Sequence, residues 1–311
     1  MGVTAPPAVT LGEGATPLVP APHLSRELGL QVHLKCEGQN PTGSFKDRGM
    51  AVAVSRAVEA GANAVVCAST GNTAASAAAY AARAGLRAVV LTPQGATADA
   101  KRAQARAAGA EVLEVRGSFE DALRCCRELA AEPGYVLVNS LNPDRIDGQK
   151  SVSLELVEEL GAAPDVVALP FGGGGNLCAV ARGFAEAGVR PRLVAGQAAE
   201  RATTWASAIR IREPAHAGEV AELVDAGRVE VVSLSEDEIR MAWLDLARLE
   251  GVFCEPASGA SLAALRRTAV PAGGTAVCIL TGHGLKDPAR VPADEAPAVE
   301  PRLDAILEAL R

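Results

Sequence analysis

Residues 166–187 read VVALPFGGGGNLCAVARGFAEA, and this stretch decides the fold class. A short β-branched run, Val166–Leu169, meets four consecutive glycines, Gly172–Gly175. Asn176 then opens an alanine-rich helical pattern, Asn176–Ala187. An apolar run of strand length without alternation fits a strand buried on both faces, as in parallel sheets covered by helices. The glycines let successive amide N–H groups point into one concavity, and the helix N-terminus adds its positive dipole end. The junction therefore reads as a phosphate cradle that lacks the lysine of a Walker loop. A dinucleotide site would also want an acidic residue about 20 positions on, and the region of Ala195 supplies none.

Working outward, the same alternation fills the chain. Strand-length runs fall at Val32–Leu34, Ala64–Ala68, Ala88–Thr92, Glu111–Val115, Val136–Val138, Leu193–Gln197, Glu230–Leu234 and Thr275–Leu280. Helical patterns lie between them at Ser44–Glu59, Thr73–Ala84, Ala98–Ala108, Phe119–Ala131, Arg145–Leu160, Glu236–Glu250 and Ser258–Arg267. The expected architecture is α/β, with open, doubly wound sheets. Ligands in such sheets bind beyond the carboxyl ends of the strands. The junctions Ser69–Thr73, Asn139–Asn142, Gly172–Asn176 and Thr281–Gly284, rich in Gly, Ser, Thr and Asn, are therefore the informative places. Residues 210–227 show no clear period and read as a loop-helix excursion. The proline-rich stretch 287–301 reads as an extended tail before a last short helix.

Bulk properties exclude several function classes. A net charge of −7 offers no global attraction to nucleic acid or to an anionic membrane. No apolar run approaches the roughly 20 residues that span a bilayer. The N-terminal residues show neither a basic nor an apolar region of a signal peptide, so a cytoplasmic location is expected. Seven cysteines without a C-x-x-C pair read as reduced thiols, and four scattered histidines give no zinc spacing, so no metal is expected.

The segment Thr42-Gly43-Ser44-Phe45-Lys46-Asp47 carries the chemistry. Gly43 and Ser44 read as a turn and N-cap, which puts Lys46 in the first helical turn. A cation opposed by the dipole of a helix N-terminus loses its proton more readily, which suits an imine-forming amine. An ordinary surface lysine fits this segment equally well.

Five longer motifs settle the matter: PTGSFKDRGM at 41–50, ASTGNTAASAAAYAARAG at 68–85, VNSLNPDRIDGQK at 138–150, CEPASGAS at 254–261 and LTGHGLKDP at 280–288. Together with LGEGATPLVP at 11–20, they span most of the chain. On these the sequence resembles the fold-type II family of pyridoxal-phosphate enzymes (tryptophan synthase β-like), and within it the threonine synthase branch. The resemblance implies two doubly wound open-sheet domains. Residues 1–45 and 139–311 would form the large domain that binds pyridoxal 5'-phosphate, and 46–138 a small mobile domain that grips substrate.

The resemblance also implies roles residue by residue. Lys46 would hold the cofactor as an imine and later shuttle protons. Asn72 would hydrogen-bond its phenolic oxygen, Gly172, Gly173, Gly174, Gly175 and Asn176 its phosphate, and Thr281 its ring nitrogen. A hydroxyl at that nitrogen makes the ring a weaker electron sink than a carboxylate would, which resembles elimination and replacement chemistry rather than transamination. Ser69, Thr70 and Thr73 would grip the substrate carboxylate. Asn139, Ser140 and Arg145 would read a second phosphate, that of O-phospho-L-homoserine, which water and the enzyme convert to L-threonine and phosphate. Lys101 matches a basic position but reads better as an ordinary side chain. The partner is then a small amino-acid substrate, and the family implies a homodimer. One departure stands out. The branch usually carries Gly-Asn-Ala-Gly-Asn in its cradle, and the all-glycine run here is more typical of threonine or serine dehydratases, the nearest rival. A homologue acting on another phospho- or phosphono-amino acid is a third reading.

Overall fold

The computed structural model describes residues 7–95, 99–291 and 298–310. The expected helix residue Ala98 and residues 292–297 of the expected tail lie outside these.

The strands in chain order are β1 (Leu18–Pro20), β2 (Gln31–Cys36), β3 (Ala64–Ala68), β4 (Arg87–Pro93) and β5 (Glu111–Val115). They continue with β6 (Tyr135–Leu137), β7 (Val166–Pro170), β8 (Arg192–Ala198), β9 (Val229–Leu234) and β10 (Thr275–Leu280). The helices begin with α1 (Pro22–Leu28), α2 (Lys46–Glu59), α3 (Asn72–Ala84), α4 (Asp99–Ala107), α5 (Phe119–Leu129) and α6 (Pro143–Gln149). They end with α7 (Ser151–Leu160), α8 (Gly175–Glu186), α9 (Ala217–Asp225), α10 (Glu236–Glu250), α11 (Gly259–Arg266) and α12 (Leu303–Ala309).

Two sheets form, in the orders β1-β2-β10-β7-β8-β9 and β5-β4-β3-β6. Every pairing is parallel except that of β1 with β2. The α/β class expected from the alternation is the one observed. Alternate residues of each central strand feed two cores. Val166 and Ala168 pack on the α10–α11 side, and Val167 and Leu169 on the α7–α8 side. In the smaller sheet Val65 and Cys67 face α2 and α3, and Val66 and Ala68 face α5. Burial on both faces is why β3, β7 and most of β10 lack polar alternation.

Three expectations need correction. Arg145–Leu160 is not one helix but two, α6 and α7, broken at Lys150. Gly148 lies against the Arg48 backbone, and the Ser151 hydroxyl donates to the Gly148 carbonyl at 2.8 Å, a back-bond that bends helices. Ser44 does not cap α2. The N-cap is Phe45 without a side-chain hydrogen bond, and Ser44 instead bridges Gly282. Finally, β1 and α1 fall in a stretch without an assigned element.

α2 crosses α6 at very close range. A Cβ on Gly49 would meet the Arg145 carbonyl at 2.5 Å, and one on Gly148 the Arg48 carbonyl at 2.1 Å. Only glycine at both positions allows this backbone-to-backbone approach. Next to it Arg48 is buried against Glu37 and Glu155, and Lys35 against Glu155 and Glu159. This ionic cluster fixes the start of α2 to β2 and α7.

Candidate active site

The carboxyl ends of β3, β7 and β10 lead into the loops expected to bind ligand, and α2 starts beside them. The Phe45 N–H donates to the Thr281 carbonyl at 3.0 Å, which places Lys46 next to the end of β10. Lys46 is half-buried, and its Nζ lies 4.4 Å over the Phe45 ring without a hydrogen-bond partner among the described residues. Burial pushes its amine down from 10.5 to about 7; the Arg145 charge adds to this and the Glu255 carboxylate opposes it. An amine in that range is partly neutral at physiological pH, as an imine-forming nucleophile must be.

The cradle is shaped by its neighbours. Gly174 has φ +90°, and a Cβ there would meet the His216 side chain at 3.0 Å. At Gly172 a Cβ would come within 3.1 Å of the Ile209 backbone. Gly173 differs, because a Cβ there meets only the end of Ile211 at 3.5 Å, an ordinary contact. Two elements hold the loop from outside. Arg201 stacks over Phe171 and donates to the Gly172 carbonyl at 3.1 Å, and the His216 N–H donates to the Gly173 carbonyl at 3.1 Å. Asn176 Nδ2 is buried without a partner, as a donor awaiting an anion would be.

Around Lys46 other polar atoms are buried and unused. Asn72 Oδ1 is one, while its Nδ2 donates to Glu255 at 2.9 Å. Arg145 is wholly buried, donates one Nη to the Val138 carbonyl at 2.8 Å, and leaves Nε and the other Nη unpartnered. Burial lowers it from 12.5 to about 10, so it remains a cation at neutral pH. A buried guanidinium with two free donors and no adjacent carboxylate bond is costly unless an anion completes it.

Other expected positions have different surroundings. Asn139 pairs with the Ala68 backbone through both ends of its amide, at 2.9 and 2.8 Å, and so is a clip on β3 rather than an open donor. Ser69 Oγ accepts from Gly71 and Ala74 and shapes the turn into α3. Thr70 and Thr73 are half-buried, with no side-chain partner among the described residues. The Ser140 carbonyl faces His216 Nε2 at 2.9 Å.

The family model for pyridoxal-phosphate dependent enzymes matches residues 9–282. Threonine synthase of Halalkalibacterium halodurans is 46% identical over 95% of this chain and 90% of its own length. That of Synechocystis is 48% identical over 91% and 79%. The chain belongs to the threonine synthases, among the pyridoxal-phosphate dependent enzymes. A solved threonine deaminase from T.th. shares the architecture at TM-score 0.72 but only 27% identity, covering 91% of this chain and 94% of that one.

The residues present fit the family's cofactor. A glycine cradle with an orphaned donor would seat a phosphate, a lysine of lowered basicity stands beside the end of β10, and the Asn72 amide and the Thr281 hydroxyl, linked through Glu255, complete the set. In this threonine synthase chain three further residues enter the site: Lys101, which the sequence left as an ordinary side chain, and Lys286 and Glu255, which it did not flag. Lys101 is buried, contrary to expectation, with its Nζ 3.6 Å from Glu255. Lys286 donates to the Thr42 carbonyl and to Gln104, and burial lowers it to about 8. Glu255 accepts from Asn72 and Thr281. A buried carboxylate inside a quoted motif was the available signal. Cys178, His216 and Glu219 also cluster within 4.8 Å, but both His216 ring nitrogens already face oxygen partners.

Proposed function

We propose that this chain converts O-phospho-L-homoserine and water to L-threonine and phosphate, using pyridoxal 5'-phosphate held at Lys46. Arg145 carries the reading: its buried, unsatisfied guanidinium offers a second anion seat besides the cradle. A dehydratase acting on threonine or serine brings no second phosphate to fill it.

When bound, the cofactor supplies the electron sink that eases proton loss from the substrate's Cα and Cβ. The rest falls to this chain. Gly172–Asn176 and the start of α8 bind the cofactor phosphate through amide N–H groups. Thr281 would hold the ring nitrogen, and Asn72 the phenolic oxygen. The start of α3, with Thr70 and Thr73, binds the substrate carboxylate. Arg145, with Ser140, holds the substrate phosphate and keeps it as a leaving group of stabilised charge. Lys46 Nζ, poised near neutrality, takes and returns protons. Residues 46–138 close over the substrate and exclude stray water, and equal domain separation in liganded and ligand-free crystals would dispose of that closure. The family likeness supports a cytoplasmic homodimer, and no helix among the described residues is long and apolar enough to cross a membrane.

Purified protein with added cofactor should release phosphate from O-phospho-L-homoserine and form threonine. Ammonia and 2-oxobutanoate from L-threonine, with no phosphate release, would make it a dehydratase instead. The room at Gly173 favours one second reading, a homologue acting on another phospho- or phosphono-amino acid, which a substrate panel separates.

A further inference from the structure

Glu255 is 1% exposed and touches residues that belong to both sheets' layers. Its backbone N–H donates to the Gly282 carbonyl at 2.8 Å, and its carboxylate occupies the space that a side chain at 282 would need, 2.5 Å from an added Cβ. One oxygen accepts from the Thr281 hydroxyl at 3.1 Å. The other accepts from Asn72 Nδ2 at 2.9 Å and lies 3.6 Å from Lys101 Nζ. Thr281 and Glu255 follow strands and helices of the six-stranded sheet, whereas Asn72 and Lys101 start or lie on α3 and α4 of the four-stranded one.

We propose that Glu255 is a positioning residue of this site, which orients the Asn72 amide, fixes where the Thr281 side chain stands and ties the two sheets together through Asn72 and Lys101. An amide beside a carboxylate must present its NH2, because its oxygen would be repelled. Asn72 is therefore oriented with one N–H on Glu255, a second N–H free, and Oδ1 turned away. The Thr281 hydroxyl lies within reach of both Glu255 and Ser258 Oγ, at 3.1 and 3.4 Å, and Glu255 thereby fixes where that side chain stands. The tie does not depend on which substrate is used, so it stands or falls apart from the phosphohomoserine reading.

The charges facing Lys46 are Arg145 from α6 and Glu255 from the segment between α10 and α11, and both Lys101 and Lys286 face Glu255. That geometry gives opposite expectations for two variants of the apoenzyme, read by amine-selective acylation of Lys46 against pH with peptide mass spectrometry. Glu255→Gln removes the negative charge, and the labelling midpoint should fall by about one pH unit. Lys101→Met removes one of the two lysine charges that face Glu255, the other being Lys286, and the midpoint should rise. Glu255→Asp restores the charge and should restore the midpoint, while losing one of the two hydrogen bonds. Cofactor affinity, measured by absorbance titration, should weaken about tenfold in Glu255→Gln and recover in Glu255→Asp. A purely structural role would move both midpoints the same way, or neither, and would overturn the proposal. If Glu255→Gln fails to fold, an unchanged or lowered midpoint in Lys101→Met overturns it as well.

Discussion

The two proposed phosphate seats are built from different materials. At Gly172–Asn176 the donors are backbone N–H groups whose directions are fixed by the turn and by α8. At Arg145 the donor is a single side chain, held in place by the Val138 carbonyl and by the close crossing of α2 and α6. The backbone seat resists a side chain at Gly174, and its donors are main-chain groups that no side-chain substitution removes. The side-chain seat fails with one substitution. A resident cofactor suits the first kind, and a substrate that must come and go suits the second.

The largest expected effect separates the two seats outright. Arg145→Ala should cut kcat/KM with phosphohomoserine by about 10²- to 10³-fold, as truncating a buried charged partner costs about 3–4 kcal/mol. Cofactor affinity should hardly move, and a parallel loss of both would merge the seats into one.

Next comes pH. Lys46 is lowered from 10.5 to about 7, so its amine is largely neutral above that value. Capture of added pyridoxal 5'-phosphate by the apoenzyme, followed in stopped flow, should slow about tenfold per pH unit below 7 and level off above it. Between about 7 and 10.5 the folded chain binds fewer protons at Lys46 than the unfolded one. Lys46 therefore makes apoenzyme stability rise with pH across that window, and its burial penalty is complete below it.

Smaller effects test the walls. Asn139→Ala removes two hydrogen bonds to Ala68 and should lower denaturation stability by about 1–3 kcal/mol while the holoenzyme still forms. Gly174→Ala should weaken cofactor binding about tenfold, since φ +90° costs an L-residue roughly 1–2 kcal/mol before the His216 contact is counted. Gly173→Ala should change both quantities by less than about 0.5 kcal/mol, the level of an unstrained substitution. Equal losses at 173 and 174, in a titration of the two alanine variants, would mean that the loop is read as a whole rather than position by position.

Much of this was legible in the sequence because it depended on local patterns. The strand Val166–Pro170, its glycines and the helix after them are set by neighbours in the chain, whereas the start of α2 is held by Thr281 and Gly282, far along it. β1 escaped because three residues ending in proline carry no period, and its strand exists only through pairing with β2. The break between α6 and α7 depends on Arg48 pressing from another helix. Side-chain roles were least legible. Asn139 could be an open donor or a clip, and only Ala68, 71 residues away, decides. Lys101 looks like any helical lysine until Glu255, from the far side of the cleft, closes on it.

The paired glycines 49 and 148 act as a gauge block. The helix that begins with Lys46 and the helix that carries Arg145 are spaced by two hydrogen atoms where other crossings would have methyl groups. The reach from the reactive amine to the phosphate-seeking guanidinium is thus set by helix spacing, not by the residues that line the cleft. Drift in lining residues can retune how strongly a substrate is held. To change how long a substrate can be, evolution would have to reset the block itself.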